Sequence, residues 1–253
     1  MKIDILTTFP HFFDSILQTS ILGRAVSGGI LDIRCIDIRD FSASKHKNTD
    51  DYPFGGGAGM LMMAQPASDA IKAARSAVPA GRSCTVIYMS PKGKLFTQEM
   101  ARMLSREDHL ILLCGHYEGI DQRVIDRYTD LEVSIGDYIL TGGELPAIVM
   151  TDCIARLIPG VLGSAESAED ESFSGDGLLE YPQYTRPRVF EDAQVPDVLL
   201  SGNHAMISQW RYRQSLLITE KNRPDLLTDA HRQMLEKIHS EETEEQTDRQ
   251  GVP

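Results

Sequence analysis

Two motifs decide the fold: Cys114-Gly-His-Tyr-Glu-Gly-Ile-Asp-Gln-Arg123 and Ser134-Ile-Gly-Asp-Tyr-Ile-Leu-Thr-Gly-Gly-Glu-Leu-Pro-Ala147, the second continuing into a helix that ends Ala155-Arg-Leu-Ile-Pro159. His109 to Cys114 has the continuous apolar character of a buried strand and runs into Gly115, and a charged helix follows from Ile120. Leu131 to Ile135 is a second strand, which runs into Gly136, Gly142 and Gly143, and an apolar helix opens with Glu144 and Pro146. Strand ends that give way to glycine-bearing loops and then helices form a crevice where open α/β sheets bind ligands. Glycine there leaves room for backbone to approach a ligand. Neither G-x-G-x-x-G after a strand nor G-x-x-x-x-G-K-[ST] occurs, so dinucleotides and nucleoside triphosphates are not signalled. Tyr117, Glu118, Ser134, Asp137 and Tyr138 suit a ligand held by hydrogen bonds to backbone and a ring edge.

A chain of 253 residues accommodates one α/β domain and a smaller appendage. Its 42% hydrophobic and 25% charged content is that of a globular protein, and no apolar run approaches the roughly 20 residues of a membrane helix. Met1-Lys2-Ile3-Asp4 opens a strand, not a signal peptide. Cys35, Cys84, Cys114 and Cys153 form no C-x-x-C and no metal-ligand spacing, and they read as buried reduced thiols of a cytoplasmic protein. The net charge of -12 lends no support to a polyanionic partner. Its distribution is uneven, however. Ser164 to Asp176 carries five acids and no base, whereas bases gather at Lys45-His46-Lys47, Arg186-Pro187-Arg188 and Arg211-Tyr212-Arg213.

From the start of the chain, Met1 to Thr8 is a strand. Pro10 opens a helix with Phe12, Phe13, Ile16, Leu17 and Ile21 at helical spacing, Gly28-Gly29 stops it, and Leu31 to Ile38 is the next strand. This β-α-β beginning predicts a parallel sheet. Phe41 to Met63 is long and then glycine-rich; Tyr52, Pro53, Phe54 and the methionines favour an ordered binding loop over a surface loop. A helix from Ala67 to Ala77 follows, then a strand from Arg82 to Met89 ending at Ser90-Pro91, then a helix capped by Thr97. The α/β pattern ends near Pro159. An acidic, Ser/Gly-rich linker leads to helices over His204 to Lys221 and Leu226 to Ile238, and the last dozen or so residues are a disordered acidic tail.

Two features outside the crevice bear on chemistry. Arg156 lies near the end of the helix from the glycine loop, a common place for an ordinary surface arginine. The linker carboxylates are followed by Phe173, Leu178, Leu179, Tyr181 and Tyr184, so one of them could close over a substrate as a general base.

Taken together, T-x-F-P after the first strand, D-D-Y-P-F-G-G-G-A-G-M-L-M, the two motifs above, R-L-I-P-G-V-L-G, S-F followed by G-L-L-E-Y-P-Q-Y-T-R-P, and V-P-D-V-L-L-S-G-x-H make the chain resemble the bacterial tRNA (guanine-N1)-methyltransferases over almost its whole length. The resemblance implies an α/β, parallel-sheet domain with a deep trefoil knot over residues 1–160, a flexible acidic linker over 161–178, and a small helical tRNA-binding domain with an acidic tail over 179–253. It implies S-adenosylmethionine as cofactor, held by Tyr88, Met89, Ser90, Pro91, Gly115, Tyr117, Glu118, Gly119, Ser134, Ile135, Gly136, Tyr138, Leu140, Gly142, Gly143 and Pro146. It also implies a homodimer whose active site is shared between subunits, and assistance by Mg²⁺, for which no ligand signature is present. The general base would stand just before Ser172-Phe173. The family has Asp there, and this chain has Asp170-Glu171, so Glu171 is preferred and Asp170 is the alternative, with Arg156 offsetting charge on the guanine O6. Lys45, Arg186, Arg188, Arg211 and Arg213 are candidates for tRNA phosphates. A ribose 2′-O-methyltransferase and a catalytically inactive RNA-binding module are the competing readings.

Overall fold

The computed structural model describes residues 1–163 and 171–250. Two compact units emerge, Met1–Ser164 and Ala165–Pro253. The first is built in chain order from β1 (Lys2–Thr7), a 3-10 turn (Pro10–Phe13), α1 (Asp14–Leu17), α2 (Ser20–Ser27), β2 (Asp32–Asp37), a second 3-10 turn (Ile38–Phe41), the two-residue strands β3 (Asp50–Asp51) and β4 (Leu61–Met62), α3 (Ala64–Ser76), β5 (Cys84–Leu95), α4 (Gln98–Leu104), β6 (His109–Leu113), α5 (Gln122–Tyr128), β7 (Leu131–Ser134) and α6 (Glu144–Ala155).

The main sheet is five-stranded, in the order β2-β1-β6-β5-β7, and parallel throughout. The central strands β1 and β6 are buried on both faces, which is why β6 reads as an unbroken apolar run. Successive side chains alternate between the faces. Leu110, Leu112 and Cys114 join Ile3, Ile5, Ile87 and Met89 on the side of α4 and α6. Ile111 and Leu113 join Leu6, Val86 and Tyr88 on the side of α3 and α5. The result is an α/β sandwich with helices on both faces of a parallel sheet.

Three expectations are corrected. The helix expected from Pro10 to the stop at Gly28-Gly29 is divided into a 3-10 turn, α1 and α2, the last two parted where Ser20 takes a left-handed φ of 56°. The strand expected to stop at Ser90-Pro91 runs on to Leu95, since β5 re-pairs with β7 after a shift: Met89 and Lys94 both lie opposite Val133. The segment from Phe41 to Met63, expected as one ordered loop, contains a short antiparallel hairpin, in which Asp50↔Met62 and Asp51↔Leu61 pair.

In the second unit, β8 (Val189–Phe190) and β9 (Ala193–Gln194) form a small hairpin, followed by α7 (Asp197–Leu200), α8 (His204–Asn222) and α9 (Asp229–Gln250). Leu178, Leu216, Leu227, Leu235 and Ile238 form its core. Leu178 falls in the stretch expected as linker, yet it is buried here, and Leu179 N–H donates to Thr219 Oγ1 at 2.9 Å. The acidic tail expected to be disordered continues α9 to Gln250.

Candidate active site

The carboxyl ends of β5, β6 and β7, three neighbouring strands, open onto a cavity of about 470 Å³. Tyr88, Met89, Ser90 and Pro91 reach it from β5. Gly115, Tyr117, Glu118 and Gly119 reach it from the loop after β6. Ser134 stands at the end of β7, Ile135, Gly136, Tyr138, Leu140, Gly142 and Gly143 follow in the next loop, and Pro146 lies in the first turn of α6. All sixteen residues expected around a cofactor therefore line one cavity. Lys92, His116, Gln122, Glu132 and Thr141 line it as well, and none of them was expected from the sequence.

The loops are shaped by close packing. Tyr117 takes a left-handed φ of 58°, an uncommon conformation for a side chain of its size, and Gly119 (126°) and Gly136 (148°) lie where glycine is favoured. A Cβ on Gly115 would come 2.9 Å from the Tyr88 ring, and one on Gly136 would come 2.5 Å from the Tyr138 ring. A Cβ on Gly143 would come 2.7 Å from Cys114 Cα, because Gly143 N–H donates to Gly115 C=O at 2.8 Å and draws the two loops together. Burial pushes the Tyr88 phenol up to about 12, with Glu132 acting in the same direction, so it stays protonated and able to donate.

The glycine-rich segment is tied to the cavity wall. Glu118 N–H donates to Met60 C=O (3.0 Å), Met62 N–H to Gly119 C=O (2.9 Å) and Asp121 N–H to Met62 C=O (3.1 Å). Leu61 lines the cavity, while Phe54 is fully exposed.

Beside the cavity lies a polar cluster that sequence reasoning missed. Glu144, in the first turn of α6, is buried; one carboxylate oxygen accepts from Thr7 Oγ1 at 2.6 Å and the other bonds His116 Nε2 at 2.8 Å. The His116 ring also packs against Phe9, with centroids 4.7 Å apart. The available signal was a histidine directly after a buried strand and a glutamate directly after Gly142-Gly143.

Arg156 caps the carboxyl end of α6 and does not line the cavity. Twelve helical residues, about 18 Å, separate it from the glycine loop. Glu171 belongs to the second unit, where it lines a concavity of about 270 Å³ together with Asp176, Glu180, Tyr181, Arg211 and Tyr212. Asp170 lies outside the described residues. Among the basic candidates, Lys45 and Arg186 are exposed, Arg188 pairs with Asp197 at 2.7 Å, Arg213 pairs with Glu241 at 3.6 Å, and Arg211 stacks over Tyr181 at 4.6 Å. Cys114 is buried and the other three cysteines half-buried, none of them in a disulfide. Among the described residues, no group of three or more His, Cys, Asp or Glu could hold a metal ion, and no helix is long and apolar enough to cross a membrane.

A parallel α/β sheet with a ligand-sized cavity at its carboxyl edge, walled by glycine loops and lacking a phosphate-binding fingerprint, defines the class: a small-molecule-binding α/β enzyme of the open-sheet type. Comparison with known proteins narrows this. The tRNA (Guanine-1)-methyltransferase TrmD family matches residues 1–229, and the chain belongs to that family. It is 57% identical to the tRNA (guanine-N(1)-)-methyltransferase of Ruminiclostridium cellulolyticum over 226 residues, covering 89% of this chain and 96% of that one. It is 55% identical to the protein of the same name from Clostridioides difficile, over 89% of this chain and 97% of that one. It is 54% identical to that of Staphylococcus carnosus, over 90% and 91%.

Proposed function

We propose that this protein is a tRNA (guanine-N1)-methyltransferase that uses S-adenosylmethionine to methylate N1 of the guanosine just 3′ of the anticodon. The observation that carries the reading is the meeting of all sixteen expected cofactor residues around one cavity, in a chain belonging to this family. The cavity suits the cofactor chemically. Its glycine loops leave backbone groups accessible, Ile135, Leu140 and Pro146 offer apolar surface, and Ser134 and the protonated Tyr88 offer hydrogen bonds. When bound, the cofactor supplies an electrophilic methyl group on a positively charged sulfur.

The chain's own residues do the rest. N1 of neutral guanine carries a proton and is a poor nucleophile, so a carboxylate must take that proton, and Glu171 fills this role with Asp170 as the alternative. Arg156 offsets the negative charge that grows on O6, as donors do in an oxyanion site. Arg156 stands at the end of α6 opposite its own cavity, which favours an active site completed in a homodimer. The parallel sheet carries a trefoil knot at the cavity loops in this reading, and the enzyme works on tRNA in the cytoplasm. The target guanosine leaves its stack to expose N1, while Lys45, Arg186, Arg188, Arg211 and Arg213 hold phosphates. Mg²⁺ is given no role.

The test is to incubate the protein with labelled S-adenosylmethionine and unmodified tRNA and to identify the labelled nucleoside. The expected product is 1-methylguanosine, lost when the guanosine after the anticodon is replaced. Label in a ribose-methylated nucleoside would replace this chemistry, and tRNA binding without label would leave only a binding module. Comparing Asp170→Ala with Glu171→Ala assigns the base: Glu171→Ala should lower kcat by about 10²–10⁴, and a loss confined to Asp170→Ala overturns that choice.

A further inference from the structure

We infer that Glu144, Thr7 and His116 form a latch that holds the two glycine loops at the separation the cofactor needs, so that Thr7 and Glu144 are positioning residues although neither lines the cavity. The inference rests on the reading of the cavity as the S-adenosylmethionine site. Three segments far apart in sequence meet at the Glu144 carboxylate: the end of β1 through Thr7 Oγ1, the loop after β6 through His116 Nε2, and the start of α6 through Glu144 itself. A buried carboxylate is tolerated only when well satisfied, and the helix N-terminus it occupies adds a favourable dipole. Because a carboxylate only accepts, Thr7 donates its hydroxyl hydrogen and His116 carries its proton on Nε2. Thr7 is held in turn, since its Oγ1 accepts from Phe9 N–H at 2.9 Å.

The latch sits where the loops pair, at the antiparallel bridge His116↔Gly142. A Cβ on Gly142 would overlap both His116 Nε2 and Glu144 Oε2. That glycine is therefore required by the latch, quite apart from any ligand. Losing the His116 hydrogen bond leaves the loops joined only through backbone, and losing the Thr7 hydrogen bond releases the carboxylate from β1, so either change loosens the spacing of the loops while their cavity-lining atoms stay in place. The effect should thus fall on cofactor binding and not on the chemical step.

The test is calorimetric measurement of S-adenosylmethionine binding to the full-length protein, alongside kcat at saturating cofactor and thermal midpoints. Thr7→Val, nearly isosteric and outside the cavity, should raise Kd about tenfold, as expected for loss of one hydrogen bond to a charged group, with kcat changed less than about threefold; His116→Ala, which also removes a cavity-lining side chain, should raise Kd by at least as much. His116→Gln, which keeps a donor for the carboxylate, and Thr7→Ser, which keeps the hydroxyl, should recover most of the affinity. The double variant Thr7→Val/His116→Ala should lose less than the product of the single losses, since both act through one carboxylate. Unchanged Kd in Thr7→Val and His116→Ala, even with lowered midpoints, overturns the latch, as does a His116→Gln no better than His116→Ala. A wild-type protein that fails to bind S-adenosylmethionine overturns the functional reading together with the latch.

Discussion

At the scale of single residues, Gly143 illustrates how the cavity is made. The atoms that a Cβ there would meet, Cys114 Cα at 2.7 Å and Gly115 N at 2.9 Å, belong to backbone and cannot rotate away. Gly143→Ala should therefore lower stability by about 1–3 kcal/mol, as overpacking does, and weaken cofactor binding, measured by urea denaturation and calorimetry. The sequence motif Thr-Gly-Gly-Glu announces a tight turn and suggests room for a ligand. It does not announce that the missing side chains make room for Cys114, His116 and Glu144. The partners come from a strand end some 28 residues earlier in the chain, and no local pattern encodes that contact.

At the scale of elements, periodicity located the strands well and their ends poorly. The β5 strand is the clearest instance. Its apolar run, Val86 to Met89, is legible, but its extension through Pro91 to Leu95 depends on pairing with β7, which lies forty residues away. Gly93 is pressed against that strand, and a Cβ there would overlap backbone atoms of Val133 and Glu132. In Gly93→Ala the edge strand β7 should be displaced, and hydrogen exchange at Val133 and Ser134 should speed by at least about tenfold relative to the core strand β6. The cap at Thr97 was legible because its chemistry is local, and the structure adds a second of the same kind at Asn203. Thr97 Oγ1 accepts from Met100 N–H, and Asn203 Oδ1 accepts from Met206 N–H, each at 3.3 Å. Asn203→Ala should cost α8 about 1 kcal/mol, readable as a lower thermal midpoint.

At the scale of the whole molecule, two measurements bear on how the protein holds together and works. His109 is buried on β6, its Nε2 2.9 Å from Asp4, which also meets Arg34 and Lys2, while its Nδ1 has no hydrogen-bond partner among the described residues. Burial holds the imidazole below its usual range, with Asp4 pulling the other way. The unfolded chain therefore takes up a proton near pH 6.5, where the folded protein still resists it. The contribution of His109 to stability is complete above about pH 6.5 and declines as pH falls below it. Urea midpoints should be lower at pH 5.5 than at pH 7.5, and His109→Gln should narrow the difference. The second measurement concerns the proposed sharing of the active site between subunits. If one subunit supplies the cavity and the other Glu171, mixing Glu171→Gln protein with Gly143→Ala protein, at a cofactor concentration too low to fill the weakened cavity, should restore about a quarter of wild-type activity, because half of the random dimers carry one intact site of two. Activity that stays at the level of either parent would place the whole site within one subunit.

The sequence by itself determined the alternation of strands and helices, the parallel sheet, the three segments that line the cavity and the family to which the chain belongs, because each is written in local periodicity or in long contiguous motifs. Only the tertiary structure decided that Thr7, His116 and Glu144 meet at one buried carboxylate, and that Leu178 belongs to the core of the second unit. The physical reason is the same in each case. Propensity and spacing act over a few residues, whereas a buried charge and a packed side chain are decided by partners the fold brings from elsewhere in the chain.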